Sequence, residues 1–557
     1  GIMTEDEIDV SVKRLFTARF KLGMFDSDKE VPYAQIPFSV NTSKENDALS
    51  LEAAQKSIVL LKNDEDILPL SKDIKTIAVI GPNADNWEAL VGNYNGITKN
   101  PVTVLNGLTN KKNTEILFAE GCNLADGVSN LHPIPGDYLV TEKGEPGVVG
   151  EYFANAKLIG EPAFTRVDES INFYWESNAP SAILPDDDFS VRWTGYIVPP
   201  VTGIYNIGCW GMPTLDIWFE GEKILSHSTE HHAFHHEKAI ELEAGKKYKF
   251  VYEYKNWHGD GDAKLLWTIP NKNMQQDALD IAKKADIVVL VLGLSQRLEG
   301  EEMPIKVDGF AGGDRTHLKL PQTQRNLMKA VAKVGKPVIL VLLNGSALAV
   351  NWADENLAAI ISAGYPGQQG GSAVADVLFG DYNPAGRLPV TYYKSIDQLP
   401  PFEEYDMKGR TYKYFRGEPL YPFGYGLSYT TFEYSNLKIA KKAKTGESVT
   451  VKVNVTNSGK VAGDEVVELY LKDEEASTPR PIVELAGFNR INLAPGESKT
   501  VEFELSARQF SMIGENDKRV IEPGWFTISV GGGQPGLKTT NSVSGRVKLN
   551  GTSMEIK

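Results

Sequence analysis

At 557 residues the chain exceeds what one hydrophobic core supports, since single cores stop growing near roughly 250–300 residues, so it divides into several domains. An apolar share of 41% with 24% charged residues excludes a disordered chain, and a net charge of -15 excludes the basic stripe that neutralises nucleic-acid phosphates. Two cysteines, Cys122 and Cys209, make no disulfide framework and match no zinc or redox spacing, and no run of about 18 apolar residues is present to span a bilayer.

The chain opens at Gly1 without an initiator methionine and reads as if it starts mid-protein. Thr4 followed by Glu5, Asp6 and Glu7 is a helix start, and Ile8, Val12, Leu15 and Phe16 recur at helical spacing. These residues predict one amphipathic helix with no core of its own, within a segment 1–50 that leads into the first domain. From Leu51 helices and buried strands alternate: a helix through AAQKSIVLLKN (53–63), a strand in KTIAVIGPNA (75–84) and another in TEILFAEGC (114–122). The alternation stops near Asn123 and resumes near Met274 with the helix QQDALDIAKKA (275–285) and the continuous apolar strand DIVVLVLGL (286–294). Helix-strand units follow in PQTQRNLMKAVAKVG (321–335), KPVILVLLNGS (336–346) and AAIISAGYPGQQGGSAVADVLFG (358–380). Such alternation implies parallel strands with crossover helices, so 51–149 and 271–430 read as two parts of one α/β sandwich domain.

The interruption, 150–270, alternates polar and apolar residues in FSVRWTGYIVPP, GIYNIGCW, TLDIWFEGEKI and KYKFVYEYK, with glycines and prolines between. It reads as an all-β insert, an antiparallel sandwich. Beyond a Tyr/Gly/Pro-rich stretch, residues 431–557 turn β again in SVTVKVNVTNSG, DEVVELYLK, TVEFELS and GWFTISVGG. These short strands lie at sandwich-like intervals, a pattern that resembles a fibronectin type III-like domain.

The sharpest local feature is RLEGEEMPIKVDGFAGGDR (297–315), which starts just past the carboxyl end of the strand finishing at Leu294. In open α/β sheets ligands bind beyond the carboxyl ends of strands. Glu299, Glu301 and Glu302 crowd this loop, with Asp308 and Asp314 further on. Like charges held close and partly buried raise one another's proton affinity, and a carboxyl that stays protonated near neutral pH is what a general acid for a glycosidic oxygen requires. The bland alternative is a solvated acidic face, and the residues alone leave both readings open.

Other signals are weaker. HSTEHHAFHHE holds His227, His231, His232, His235 and His236 in the insert, and three readings stand: an exposed loop, a rim of a sugar site with Trp257 and His258, or a metal site for which no carboxylate spacing defines a geometry. A turn between strands is expected to scatter these imidazoles. GPNADN lacks the repeated glycines and lysine of a nucleotide loop, and GDGDA (259–263) has neither the length nor the terminal glutamate of a helical calcium loop, so no cofactor and no metal are expected. The aromatic cluster Tyr412, Tyr414, Phe415, Tyr421, Phe423 and Tyr425 reads as a domain-junction core rather than a sugar platform.

Several blocks carry a resemblance beyond spacing. KSIVLLKNDEDILPL, IAVIGPNAD, LEGEE followed by GGDR, GYPGQQGGSAVADVLFGDYNPAGRLPVTY, GRTYKYF and YPFGYGLSYTTFEYS resemble, in order, the successive blocks of family 3 glycoside hydrolases, and the insert is similar to the protective-antigen-type β-sandwich some members carry. The resemblance implies an acid/base glutamate in a Ser-Gly-Glu-Gly or Glu-Ala-Glu-Gly context ahead of Asp-Arg, which falls on Glu301, with Glu299 the runner-up and Glu302 standing where glycine is usual. It also implies a nucleophilic aspartate on a (β/α)₈ barrel ahead of the sandwich. A barrel takes roughly 250 residues, and only about fifty precede the sandwich here, so the opening helix and LGMFD resemble the close of a barrel domain that is itself missing. The implied activity is that of the C-terminal part of an exo-acting retaining β-glycosidase, β-glucosidase first and β-xylosidase a close second, inactive without the barrel. The implied partners are an oligosaccharide or aryl glycoside, a barrel-containing N-terminal chain or fragment, and a second copy in a homodimer, with no nucleic acid and no membrane; the implied location is periplasmic or extracellular. A reading from a different class, a non-catalytic carbohydrate-binding or adhesion protein built of β-sandwiches, leaves the α/β blocks unexplained.

Overall fold

A computed structural model describes residues 2–96, 98–111, 114–176, 178–229, 235–258, 261–271, 273–514, 517–537 and 541–556. The opening helix α1 (Glu5–Lys21) starts where the sequence predicts, with Thr4 and Glu7 closing a reciprocal capping box. None of its residues is buried, and Ile8, Val12, Leu15, Phe16 and Phe20 face solvent.

The α/β domain is built on a six-stranded sheet of β1 (Val59–Asn63), β2 (Thr76–Ile80), β3 (Glu115–Ala119), β4 (Ile287–Gly293), β5 (Val338–Leu343) and β6 (Ala359–Gly364) in the order β1-β6-β5-β4-β2-β3. All neighbours run parallel except β1, which is antiparallel to β6 at the edge. Central β4 is apolar throughout because both faces are covered. Ile287, Val289 and Val291 pack with helices α2 (Lys44–Ser57), α3 (Val104–Thr109) and α7 (Gly370–Phe379), whereas Val288, Leu290 and Leu292 pack with α4 (Met274–Lys284), α5 (Gln322–Ala332) and α6 (Asn351–Asn356). One expectation is corrected. The helix expected through 53–63 ends at Ser57, and VLLKN forms β1, because a short all-apolar run has no helical periodicity to read and β6 offers it an open edge.

Between β3 and α4 the chain leaves this sheet to form two antiparallel sheets, of five and seven strands among the described residues. Two short strands at His132–Pro133 and Leu139–Val140 already pair with them. Their facing sides enclose Tyr152, Trp193, Tyr205, Cys209, Tyr252 and Trp267, an aromatic core of its own. The last domain, from Phe432, pairs sheets of three and five strands around Val451, Val453, Val455, Leu469 and Phe526. In Val449–Asn457 every second residue is buried, as the two-residue strand period requires. The chain therefore is an α/β sandwich interrupted by a β-sandwich insert and followed by a fibronectin type III-like β-sandwich.

The Tyr/Gly/Pro-rich stretch joins this last domain to the α/β domain. Tyr412 stacks on Phe423 at 4.0 Å and meets Tyr470 edge-on, and Tyr421 donates to Asp354 at 2.6 Å. Arg387 pairs with Glu465 at 2.8 Å inside the same junction, where Tyr434 also donates to Glu465.

Candidate functional site

The carboxyl ends of β2, β4, β5 and β6 converge on one edge of the sheet, and the loops that leave them touch. Gln324, fully buried on α5, closes the end of β4 by accepting from the Gly293 amide and donating to its carbonyl, both at 2.9 Å. Asn83, just past β2, donates to the Leu294 carbonyl at 2.8 Å. The loop after β4 is thus pinned at its root on both sides before it reaches the carboxylates.

Glu299 is consumed internally. Its carboxylate accepts from the Gly345 amide at 2.8 Å, the Ser346 hydroxyl at 2.7 Å and the Tyr365 hydroxyl at 2.5 Å, all three donors lying past the ends of β5 and β6. Arg315 donates to Ser346 at 2.7 Å and to the carbonyls of His317 and Lys319. Burial lowers the Arg315 pKa and the facing Glu299 opposes that fall, while burial and Glu299 together push the Tyr365 phenol up. Glu299 and Arg315 therefore work as a brace across the loop mouth, which the sequence pairing of LEGEE with GGDR does not reveal.

Glu301 lies two residues on and points the other way. It is exposed, in a turn, and the Tyr94 hydroxyl from the loop after β2 donates to its Oε2. Gly300 gives this turn its tightness, since a Cβ there would come within 2.5 Å of Met303 Sδ and 2.6 Å of Asn93 Nδ2. Glu302 is exposed at φ 46°. The residues up to Asp314 and Arg315 form a three-stranded miniature sheet, Lys306–Val307, Phe310–Ala311 and Asp314–Arg315, with the Arg315 guanidinium 5.1 Å from the centre of the Phe310 ring. At Gly313, φ is +93° and a Cβ would sit 1.6 Å from the Gly300 carbonyl oxygen, so the residue before Asp314 has to be glycine.

The insert reaches the same loop. Arg297, two residues before Glu299, donates to the Ser129 carbonyl at 2.7 Å and lies near Glu88, which contacts the insert's His235 at 2.7 Å. Burial pushes the Glu88 carboxyl up, but His235, Arg297 and Lys264 more than offset it and hold it at about 2. Burial lowers the His235 pKa against the pull of that carboxylate, so at neutral pH the pair is an ionised Glu88 beside a neutral imidazole donating from Nε2.

Of the histidines singled out in the sequence, His231 and His232 lie outside the described residues. His227 and His236 are not scattered: the strands Glu222–Ser228 and His236–Leu242 carry them to within 2.9 Å, Nδ1 to Nε2. No group of three metal-ligating side chains occurs among the described residues. Trp257 follows the strand Tyr248–Asn256, donates to Thr214 within the insert at 3.0 Å and stacks on His258. The sequence does not single out Tyr94, Tyr365, Glu88 or Arg297, and gives His235 no link to the last two. Tyr94 and Tyr365 carry one available signal, an aromatic residue within the loop that follows a strand's carboxyl end.

Residues 58–429 match the glycosyl hydrolase family 3 C-terminal domain, and residues 465–534 match a fibronectin type III-like domain. A xylan 1,4-beta-xylosidase of Xylanibacter ruminicola is 36% identical over 95% of this chain and 61% of its own length. A periplasmic beta-glucosidase of Salmonella typhimurium is 29% identical over 95% of this chain and 54% of its own length. The crystal structure of a beta-glucosidase from Kluyveromyces marxianus in complex with glucose superposes with a TM-score of 0.70 at 27% identity, covering 93% of this chain and 63% of that one. The chain thus spans a little over half the length of the relatives it matches.

Proposed function

Because this chain belongs to glycoside hydrolase family 3, we propose that it is the C-terminal part of an exo-acting retaining β-glycosidase and that Glu301 is its general acid/base. The single observation that carries the assignment is the contrast between neighbours: Glu299 spends its carboxylate on three donors inside the loop brace, while Glu301 is exposed on the same edge of the sheet. A general acid must reach a glycosidic oxygen; of Glu299 and Glu301 the second is the one open to solvent, and Glu302, exposed beside it, stands where the family usually has glycine.

The retaining reaction needs a second carboxylate about 5–5.5 Å away to form the glycosyl-enzyme. We assign that nucleophile to an aspartate on a (β/α)₈ barrel outside these 557 residues. The apolar face of α1, with Leu15 64% and Phe20 67% exposed, supports a docking surface for such a domain. In the first half-reaction Glu301 protonates the leaving oxygen as the barrel carboxylate attacks the anomeric carbon. In the second, ionised Glu301 takes a proton from water, which attacks the same carbon from the vacated side. The sugar removed is a terminal β-D-xylosyl or β-D-glucosyl residue; the higher identity to a protein named a β-xylosidase than to one named a β-glucosidase puts xylosyl first, reversing the order read from the sequence. The name of the Salmonella relative supports a periplasmic or extracellular location, and no described helix is long and apolar enough to cross a membrane.

The test is hydrolysis of aryl β-xyloside and aryl β-glucoside by the chain, alone and together with a barrel-bearing polypeptide. Activity confined to the combination, with kcat/KM higher for the xyloside, is expected. In that combination Glu301→Gln should depress hydrolysis of alkyl glycosides by about 10²–10⁴-fold and of dinitrophenyl glycosides far less, the range a general acid supplies. The same pattern from Glu299→Gln in place of Glu301→Gln would move the acid/base to position 299, and sugar binding without hydrolysis would favour a non-catalytic protein.

A further inference from the structure

We propose that Tyr94 is a positioning residue for Glu301, donating its hydroxyl to Oε2 so that Oε1 is left as the atom that gives and takes the catalytic proton. The proposal rests on the reading of Glu301 as acid/base. Both side chains stand on the open edge of the sheet, Tyr94 at 68% exposure, so burial does not fix the Glu301 rotamer. A glutamate carries three rotatable side-chain bonds, and an exposed one samples many rotamers unless something holds it. The Tyr94 hydroxyl supplies such a hold by hydrogen-bonding the Glu301 carboxyl. Their backbones are held in register next door, where the Asn93 side chain lies against Gly300 and Gly300 donates its amide to Met303 Sδ at 3.1 Å.

A phenol suits this task better than a charged donor. It donates to Oε2 whether Oε1 is protonated or the carboxylate is ionised, so the same contact persists through the acid and the base half-reactions. A lysine or arginine in its place would favour the ionised form alone and oppose the acid step. The hydrogen bond that Tyr94 donates to Glu301, with partial desolvation and the charges of Glu301 and Glu302, raises the Tyr94 pKa above its ordinary 10, which keeps the hydroxyl protonated wherever a glycosidase works.

The experiment has two arms. In the chain itself, with tyrosine labelled at ¹³Cζ and Tyr94 assigned by its loss in Tyr94→Phe, the Tyr94 resonance is titrated from pH 8 to 12. Glu301→Gln should bring its midpoint down toward 10 while Glu299→Gln leaves it in place; an unchanged midpoint in Glu301→Gln refutes the contact. In the active combination with the barrel, Tyr94→Phe should lower kcat roughly 3- to 30-fold on alkyl glycosides and alter the pH profile, with KM and dinitrophenyl glycoside hydrolysis little changed, the size expected for one lost hydrogen bond of about 1 kcal/mol or somewhat more. Equal losses on both substrates would mean a structural role and overturn the proposal. Failure of Glu301→Gln to impair poor leaving groups would instead overturn the acid/base assignment itself, so the two ideas fail separately.

Discussion

Replacing Glu299 by alanine removes the acceptor of three hydrogen bonds and leaves Arg315 without its facing carboxylate. A hydrogen bond to a charged group nets about 1.5–3 kcal/mol, and the Glu299 carboxylate is only partly buried. The three bonds share one carboxylate and do not add, so a loss of about 2–3 kcal/mol in the stability of the α/β domain is expected. Glu301→Ala, at an exposed turn with one surface hydrogen bond, should cost no more than about 0.5 kcal/mol. Tryptophan fluorescence reports mainly on the insert, where Trp175, Trp193, Trp210, Trp218, Trp257 and Trp267 lie. The suitable assay is therefore amide exchange of peptides covering β4 and β5 as a function of urea, which follows this domain's own opening. If Glu299→Ala exchanges within about 1 kcal/mol of the parent, or Glu301→Ala is equally damaging, the division of labour drawn between the two carboxylates is wrong.

Burial raises the Glu468 carboxyl from 4.5 to about 7 at the junction with the last domain, where Tyr470 donates to it at 2.6 Å. The folded state then binds more protons than the unfolded one across that window, so stability falls as pH rises through it, by on the order of 3 kcal/mol. Glu468→Gln should flatten this dependence and be the more stable form at pH 8 in chemical denaturation; a variant that tracks its parent from pH 5 to 8 rejects the argument. Glu88 behaves oppositely: held at about 2, it contributes stability that is complete above about 4.5 and lost as pH falls toward 2. Glu88→Gln, which leaves Arg297 buried beside a neutral amide, should separate the calorimetric transition of the insert from that of the α/β domain, and one unshifted transition would count against the coupling. Gly313→Ala drives a Cβ into the Gly300 carbonyl and should lower the thermal midpoint clearly more than Gly312→Ala, whose Cβ meets nothing within 4 Å although its φ is also positive, at +66°.

Much of this architecture is legible in the chain itself. Continuous apolar runs such as 286–294 mark strands covered on both faces, and two-residue alternation in 449–457 marks strands covered on one. Both signals arise from local periodicity, which a sequence displays directly. The same logic placed an acidic loop past the end of β4, at the sheet edge where ligands bind. It failed at 53–63, where a short apolar run carries no period and only the presence of β6 decides between helix and strand. It also failed within the loop. Glu299 and Glu301 are chemically the same residue two positions apart, and periodicity does not distinguish them, although the family context ranks Glu301 first. What separates them is which donors the ends of β2, β5 and β6 bring alongside: Gly345, Ser346 and Tyr365 for one, Tyr94 for the other. These donors lie 46 to 66 residues from Glu299 and 207 from Glu301 along the chain, so only the assembled sheet determines which donors each carboxylate meets.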